Sequence, residues 1–363
     1  MGSLSPPRFT CRRAPESPPS SYTVLASFIN PSPDSYVPNW IDGYHPATNS
    51  WHKITFIPGL QEKQVLKGFA MAPISNSIYI IGGRICHTVV TGDGSTNEVV
   101  EEDLDVVRNV WRYNMDNATW EECAPLTVPR FDFGCNVVGD KIYVAGGQST
   151  IGDVRGVSCA EVYDPSTNTW RSITNMSTSR YKCVGVTWHN RFIVIGGFTD
   201  KPVSNTVSNM LDRSSAEAYD PEADKWDLMV GLWQLDVPPN EIVDVEGELF
   251  SSGDCFNKWK GHIEAYDAKL NLWYEVDGSQ YQLAMSDGRS VGKRLYLTMV
   301  PIGTHLYFLT GYSMPGETPR LRSVVHVYDT SSASRDGWRT IEGTEEEGEK
   351  ELCGHCCVVK QVL

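Results

Sequence analysis

Three short strands that end in Gly-Gly, six copies of a Tyr-to-Trp hairpin, and a C-terminus that reads as an unpaired first strand together predict an all-β fold, six four-stranded sheets set radially as a six-bladed β-propeller. The diglycine strands are IYIIGG (78–83), IYVAGG (142–147) and FIVIGG (192–197), with weaker copies LFSSG (249–253) and LYFLTG (306–311). Their β-branched and aromatic content marks them as strands. The hairpins are YHPATNSW, YNMDNATW, YDPSTNTW, YDPEADKW and YDAKLNLW, ending at Trp51, Trp120, Trp170, Trp226 and Trp273. A sixth, YDTSSASRDGW, is stretched by three residues and ends at Trp338. From Trp51 to Trp338 the five intervals average about 57 residues, a period that belongs to repeat architectures.

Each repeat supplies its strands in the same order. An apolar first strand such as GCNVVGD (134–140) turns into the diglycine strand, a variable loop leads to the Tyr strand, and an Asp-Pro or Asn-rich hairpin leads to the Trp strand. One such sheet cannot cover both of its faces, whereas six set radially cover each other. Glycine suits close backbone approach, and Trp fills the wedge between adjacent sheets.

The two ends of the chain complement each other. In CGHCCVVKQVL, Val358-Val359 aligns with Val137-Val138 of a first strand, while YTVLASFI (22–29), NWIDGYHP and Trp51 form a repeat that lacks one. The last segment is therefore expected to pair with Tyr22 to Ile29 and close the propeller. Residues 1–21, rich in Pro and Ser, are expected to be disordered, and residues 22–363 to form a single propeller domain.

Composition narrows the function. The 31 basic and 45 acidic residues give a formal charge of −14, which opposes the phosphate attraction on which nucleic-acid binding relies. No stretch approaches the apolar length of a membrane span, and the first twenty residues lack the apolar centre of a secretory signal. A cytoplasmic or nuclear monomer that binds neither nucleic acid nor membrane is expected. Ten scattered cysteines then read as reduced thiols, and the sequons at Asn117 and Asn175 as silent.

At the diglycines and the spaced Tyr and Trp the sequence resembles the kelch-repeat family, over roughly residues 22 to 363. Stretches such as LDVPPNEIVDVEGELFSSGD and KGHIEAYDAKLNLW are similar to plant kelch proteins, many of which carry an F-box before the propeller. An F-box is not expected ahead of Tyr22, because about twenty Pro- and Ser-rich residues do not supply its amphipathic helices.

Sixteen residues before each diglycine, or its counterpart, stand Arg130, Arg180 and Arg294; the fifth copy offers Asp236, and the second Leu66 with Lys67 beside it. The resemblance implies that this position opens the innermost strand of a blade, which would crowd the guanidiniums around one mouth of the central channel. Such a patch suits carboxylates or phosphates, so the expected partner is a protein with an acidic motif, or a small anionic ligand. The competing reading has each Arg pair with an acid of a neighbouring blade and tie the blades together. The loops 84–108 and 198–215 are further candidates. The acidic run 342–351 is expected to be a solvated loop, placed to neutralise the arginine mouth.

The expected function is thus a protein-interaction module, with a role in ubiquitin-dependent turnover or signalling. The alternative is a plant specialised-metabolism enzyme that uses the funnel for metal-free cyclisation or isomerisation. No cofactor and no metal is expected. The eight histidines show no pairing of the kind galactose-oxidase-like copper chemistry needs, and Glu241, Asp244, Glu246 and Glu248 have the wrong spacing for the iron site of plant specifier proteins. Cys353, His355, Cys356 and Cys357 lie along a strand, where alternate side chains face opposite ways, which disfavours zinc.

Overall fold

The structure, a computed structural model, describes residues 22–32, 37–91, 98–152, 155–198, 214–235, 237–253, 263–276, 293–316, 318–332 and 337–360. Segment 1–21, Asp236 and most of the loop 198–215 lie outside these residues. Among the described residues there is no α-helix.

The first sheet contains β1 (Tyr22–Ile29), β2 (Trp40–His45) and β3 (Ser50–Phe56). The next stretch supplies β4 (Gln64–Lys67), β5 (Ala70–Ile74), β6 (Ser77–Ile81), β7 (Arg84–Thr91), β8 (Glu98–Val106), β9 (Val110–Asn114) and β10 (Thr119–Cys123). Of these, β5, β6, β9 and β10 form the second sheet, and β4, β7 and β8 an inserted three-stranded sheet. Thus the long loop expected at 84–108 is largely a strand pair. The third sheet comprises β11 (Gly134–Val138), β12 (Lys141–Ala145), β13 (Ala160–Asp164) and β14 (Thr169–Ile173). The fourth comprises β15 (Val184–Trp188), β16 (Arg191–Ile195), β17 (Ala216–Asp220) and β18 (Lys225–Met229).

The fifth sheet holds β19 (Ile242–Val245), β20 (Glu248–Ser251), β21 (Glu264–Asp267) and β22 (Leu272–Glu275). The sixth holds β23 (Arg294–Ile302), β24 (His305–Met314), β25 (Arg320–Asp329) and β26 (Trp338–Glu347). The acidic run is therefore mostly an edge strand and not a free loop, with Glu345 paired to Arg320 and Glu346 to Lys350. The chain ends in β27 (Glu351–Leu352) and β28 (Cys357–Lys360), both antiparallel to β1. The register sets Lys360 against Tyr22, Val359 against Thr23 and Val358 against Val24, which is the pairing of chain ends that the sequence calls for.

In all six sheets the signature Tyr and Trp are direct cross-strand partners, with ring centroids 4.7 to 5.3 Å apart. The hairpins between them turn through a left-handed residue, with φ of 48° at Asn49, 50° at Asn168, 45° at Asp224 and 52° at Asn271. Asn and Asp tolerate that conformation. Each of these side chains also accepts a hydrogen bond from the Tyr hydroxyl five residues earlier.

The Trp rings then join one sheet to the one before it. Trp170 Nε1 donates to the Ala124 carbonyl at 2.9 Å, Trp226 to Thr174 at 2.7 Å and Trp273 to Leu232 at 2.6 Å. Apolar side chains fill the same gaps: Tyr79 and Ile81 of the second sheet pack with Ile142, Val144 and Tyr163 of the third. The leading strands also touch in sequence, β5 against β11, β11 against β15, β15 against β19, β19 against β23, β23 against β28, and β28 against β5.

Candidate functional site

Arg130 and Arg180 are fully buried and do not line an accessible face, which corrects the arginine-mouth expectation for both. Arg130 donates to the Gly146 carbonyl at 2.7 Å and pairs with the Glu161 carboxylate at 2.7 Å. Arg180 repeats the pattern, donating to Gly196 at 2.9 Å and meeting Glu217 at 3.3 Å. The acid belongs to the arginine's own sheet, on its third strand, and not to a neighbouring blade. The backbone makes the link between sheets: Gly83 N donates to the Arg130 carbonyl at 2.8 Å, and Gly147 N to the Arg180 carbonyl at 2.7 Å. A Cβ on Gly82 would stand 2.6 Å from that Arg130 oxygen, which explains a glycine there. Arg294 is half-buried, 5.8 Å from the centre of the Tyr312 ring, and the structure does not bring it together with the other two at an exposed patch.

What opens onto solvent is a central cavity of about 680 Å³, walled by β5, β11, β15, β19, β23 and β28. Its rim carries Lys67, Arg84, Asp132, Lys182, Glu241 and His355. Asp132 and Lys182 stand two residues after Arg130 and Arg180, and both hold left-handed backbone with φ of 53°. For non-glycine residues this conformation costs free energy and concentrates at functional sites. Backbone hydrogen bonds fix them, from Asp132 N to Gly68 O at 2.9 Å and from Lys182 N to Asp132 O at 2.7 Å. Three successive sheets are thereby stitched at the rim. The sequence held this signal one step away from the residues chosen: two positions after Arg130 and Arg180 stand Asp132 and Lys182, and two after Leu66 stands Gly68, whereas Arg294 is followed there by the buried Tyr296.

The rim charges are mostly matched. Lys67 is hydrogen-bonded to Glu101 and lies 3.2 Å from Glu351, so one candidate of the sequence reading is at the mouth, but neutralised. Burial alone would lower its pKa, and the two carboxylates more than reverse that. Arg84 meets Asp103 at 2.9 Å and Asp132 at 3.8 Å, and lies 4.9 Å over the Phe131 ring. Burial pushes the Asp132 carboxyl up, against the pull of Arg84, Lys182 and His355. Glu241, 5% exposed, accepts from Met299 N at 2.7 Å and from Thr298 Oγ1 at 3.2 Å. His355 Nδ1 lies 3.5 Å from the same carboxylate.

The cysteines beside His355 point into different surroundings. Cys353 and Cys357 join the apolar cluster with Leu25, Phe69 and Val359, while Cys356 lies 3.0 Å from Thr298 Oγ1. Burial pushes the Cys357 thiol up to about 12 and Cys356 well above the usual thiol range, so both are held protonated and unreactive.

The third sheet, with its diglycine, buried arginine and Tyr–Trp pair, is the stretch that decides the relationship. Residues 129–177 match the Kelch motif. This unit carries a kelch motif. The chain is 27% identical to an F-box/kelch-repeat protein of Arabidopsis thaliana over 240 residues, 65% of this chain and 57% of that one. A second Arabidopsis F-box/kelch-repeat protein is 32% identical over 181 residues, 49% of this chain and 43% of the relative. Kelch-like protein 25 of Xenopus tropicalis is 23% identical over 285 residues, 76% of this chain and 40% of its own. The chain spans about half the length of the curated relatives it matches. Similarity to plant kelch-repeat proteins, drawn in the sequence from short motifs, extends over 65% of this chain in the first of these comparisons.

Proposed function

We propose that residues 22–363 form one six-bladed kelch propeller that recruits a partner protein through the inserted sheet at its channel mouth. The cyclic order of contacts among the leading strands, closed by β28 lying against β5, supports the ring and its six blades. The observation that carries the recruitment reading is the sheet β4–β7–β8. Among the described residues it occurs in one repeat, lines the cavity through Lys67 and Arg84, and exposes Val100 and Leu104 at 40% and 44%. Apolar side chains amid charge, on an insertion held by a rigid scaffold, suit a specific protein contact. The relatives' printed names place kelch repeats with an F-box, and a role in turnover follows from that association.

The test is comparative capture. Proteins retained from extract by the wild-type chain are compared with those retained by a Val100→Ser, Leu104→Ser variant of unchanged melting temperature. Loss of the retained partner is expected; an unchanged set of partners would sink the reading.

A second reading is favoured by the cavity itself. Its volume lies within the range of small-molecule sites, its walls mix polar and apolar groups, and Glu241 with His355 forms a carboxylate–imidazole pair at its edge. This arrangement suits binding of a small molecule and acid–base chemistry upon it.

A further inference from the structure

The cavity reading gains a ligand class when the donors and acceptors of the rim are counted. The carboxylates of this rim are engaged, Asp132 by Arg84, Glu351 by Lys67, and Glu241 by Met299 N, Thr298 Oγ1 and His355 Nδ1, while Asp244 of the same lining leaves Oδ1 without a hydrogen bond among the described residues. The cations Lys67 and Arg84 are engaged by the same carboxylates and by Glu101 and Asp103. Two donors are left over. Lys182 is exposed, and among the described residues no carboxylate lies within ion-pair distance of its ammonium. His355 directs Nδ1 toward Glu241, so Nε2, on the other side of a ring that is 53% exposed, is a donor when the ring is the imidazolium. Both residues line the cavity, and both act on the Asp132 carboxyl between them.

An incoming group that completes this inventory is an acceptor, best an anion, since charge-assisted bonds are the strong ones. Behind the rim the partly exposed side chains of Met71, Pro73, Val137, Val243 and Pro301 stand among Asn136 and Thr187, which leaves apolar surface for an apolar body. We propose that the channel is a binding site for a small monocarboxylate with an apolar body, its carboxylate held between Lys182 Nζ and His355 Nε2. The inference rests on the small-molecule reading of the cavity and is independent of partner recruitment at β8. The residue that fixes the head group is two positions beyond the buried arginine, so the guanidinium shapes the site and the lysine contacts the ligand.

Three probes with one body separate the possibilities: 4-phenylbutyrate, 4-phenylbutanol and 4-phenylbutylamine, titrated into the full chain by calorimetry, with acetate as a head group lacking a body. The carboxylate is expected to bind at least tenfold more tightly than the alcohol, with the amine and acetate weaker still. Lys182→Ala and His355→Ala should each lower that affinity about fivefold or more, with Lys182→Arg retaining most of it. Lys225→Ala, the same loss of charge on the exposed outer strand β18, should leave it within twofold. Tighter binding of the alcohol or amine would overturn the carboxylate assignment and leave the cavity reading standing. Equal weakening by Lys225→Ala would reduce the effect to bulk charge and overturn the site. Acetate binding as well as phenylbutyrate would exclude the apolar walls, and silence from every probe would overturn both the inference and the cavity reading beneath it.

Discussion

A guanidinium withdrawn from water needs acceptors, and the terminal nitrogens of Arg130 and Arg180 find theirs in a diglycine carbonyl and a buried glutamate, while Arg130 Nε lacks one among the described residues. Removing one member of such a buried pair strands the other, at a cost of about 3–5 kcal/mol. Arg130→Ala is therefore expected to lower unfolding stability in urea by that amount, whereas Lys182→Ala, at an exposed rim position, should change it by about 0.5 kcal/mol or less. A second residue sets a pH dependence. His326 is 1% exposed, and burial, with Arg294 adding to it, pushes its imidazole down from 6.5 to about 4. The fold disfavours the imidazolium, so the unfolded chain takes the proton first. This contribution is complete above pH 6.5 and is lost as the pH falls toward 4, to the extent of roughly 3 kcal/mol. Urea midpoints measured across that window should fall for the wild type and fall less for His326→Gln.

Among the elements, β28 carries a large share of the fold's integrity relative to its four residues. It pairs with β1 and lies against β5 and β23, so it joins the first sheet to both of its neighbours. Val359, 1% exposed, sits in one core cluster with Leu25, Ile78 and Phe69. Deleting residues 354–363 should abolish the cooperative thermal transition seen by circular dichroism, and a variant that melted like the wild type would show that the strand is dispensable. This pairing was legible because a first strand repeats a pattern, and Val358-Val359 matches Val137-Val138. The inserted sheet was not legible as strands. Its acidic strand lacks the apolar alternation that announces one, and its hydrogen bonds to β7 come from the backbone.

At the scale of the whole molecule, six Tyr–Trp pairs in register made the repeat readable, because the hairpins at Asn49, Asn168, Asp224 and Asn271 need the same left-handed turn and Trp170, Trp226 and Trp273 reach into the same gap. The site was readable only in part. Lys67 lines the cavity, but Arg130 and Arg180 repeat because they hold each sheet to its diglycine, and periodicity alone cannot separate a residue repeated for structure from one repeated for binding. Asp132 and Lys182, at matching positions of the third and fourth sheets, differ in charge, and the partner surface proposed at β8 has no counterpart among the described residues. The direct test is hydrogen exchange of the full chain with and without its captured partner. Protection concentrated at residues 98–106 and at the rim around Asp132 and Lys182 is the predicted result. Protection confined to the outer strands β3, β10, β14, β18 and β22, with the rim unchanged, would contradict it.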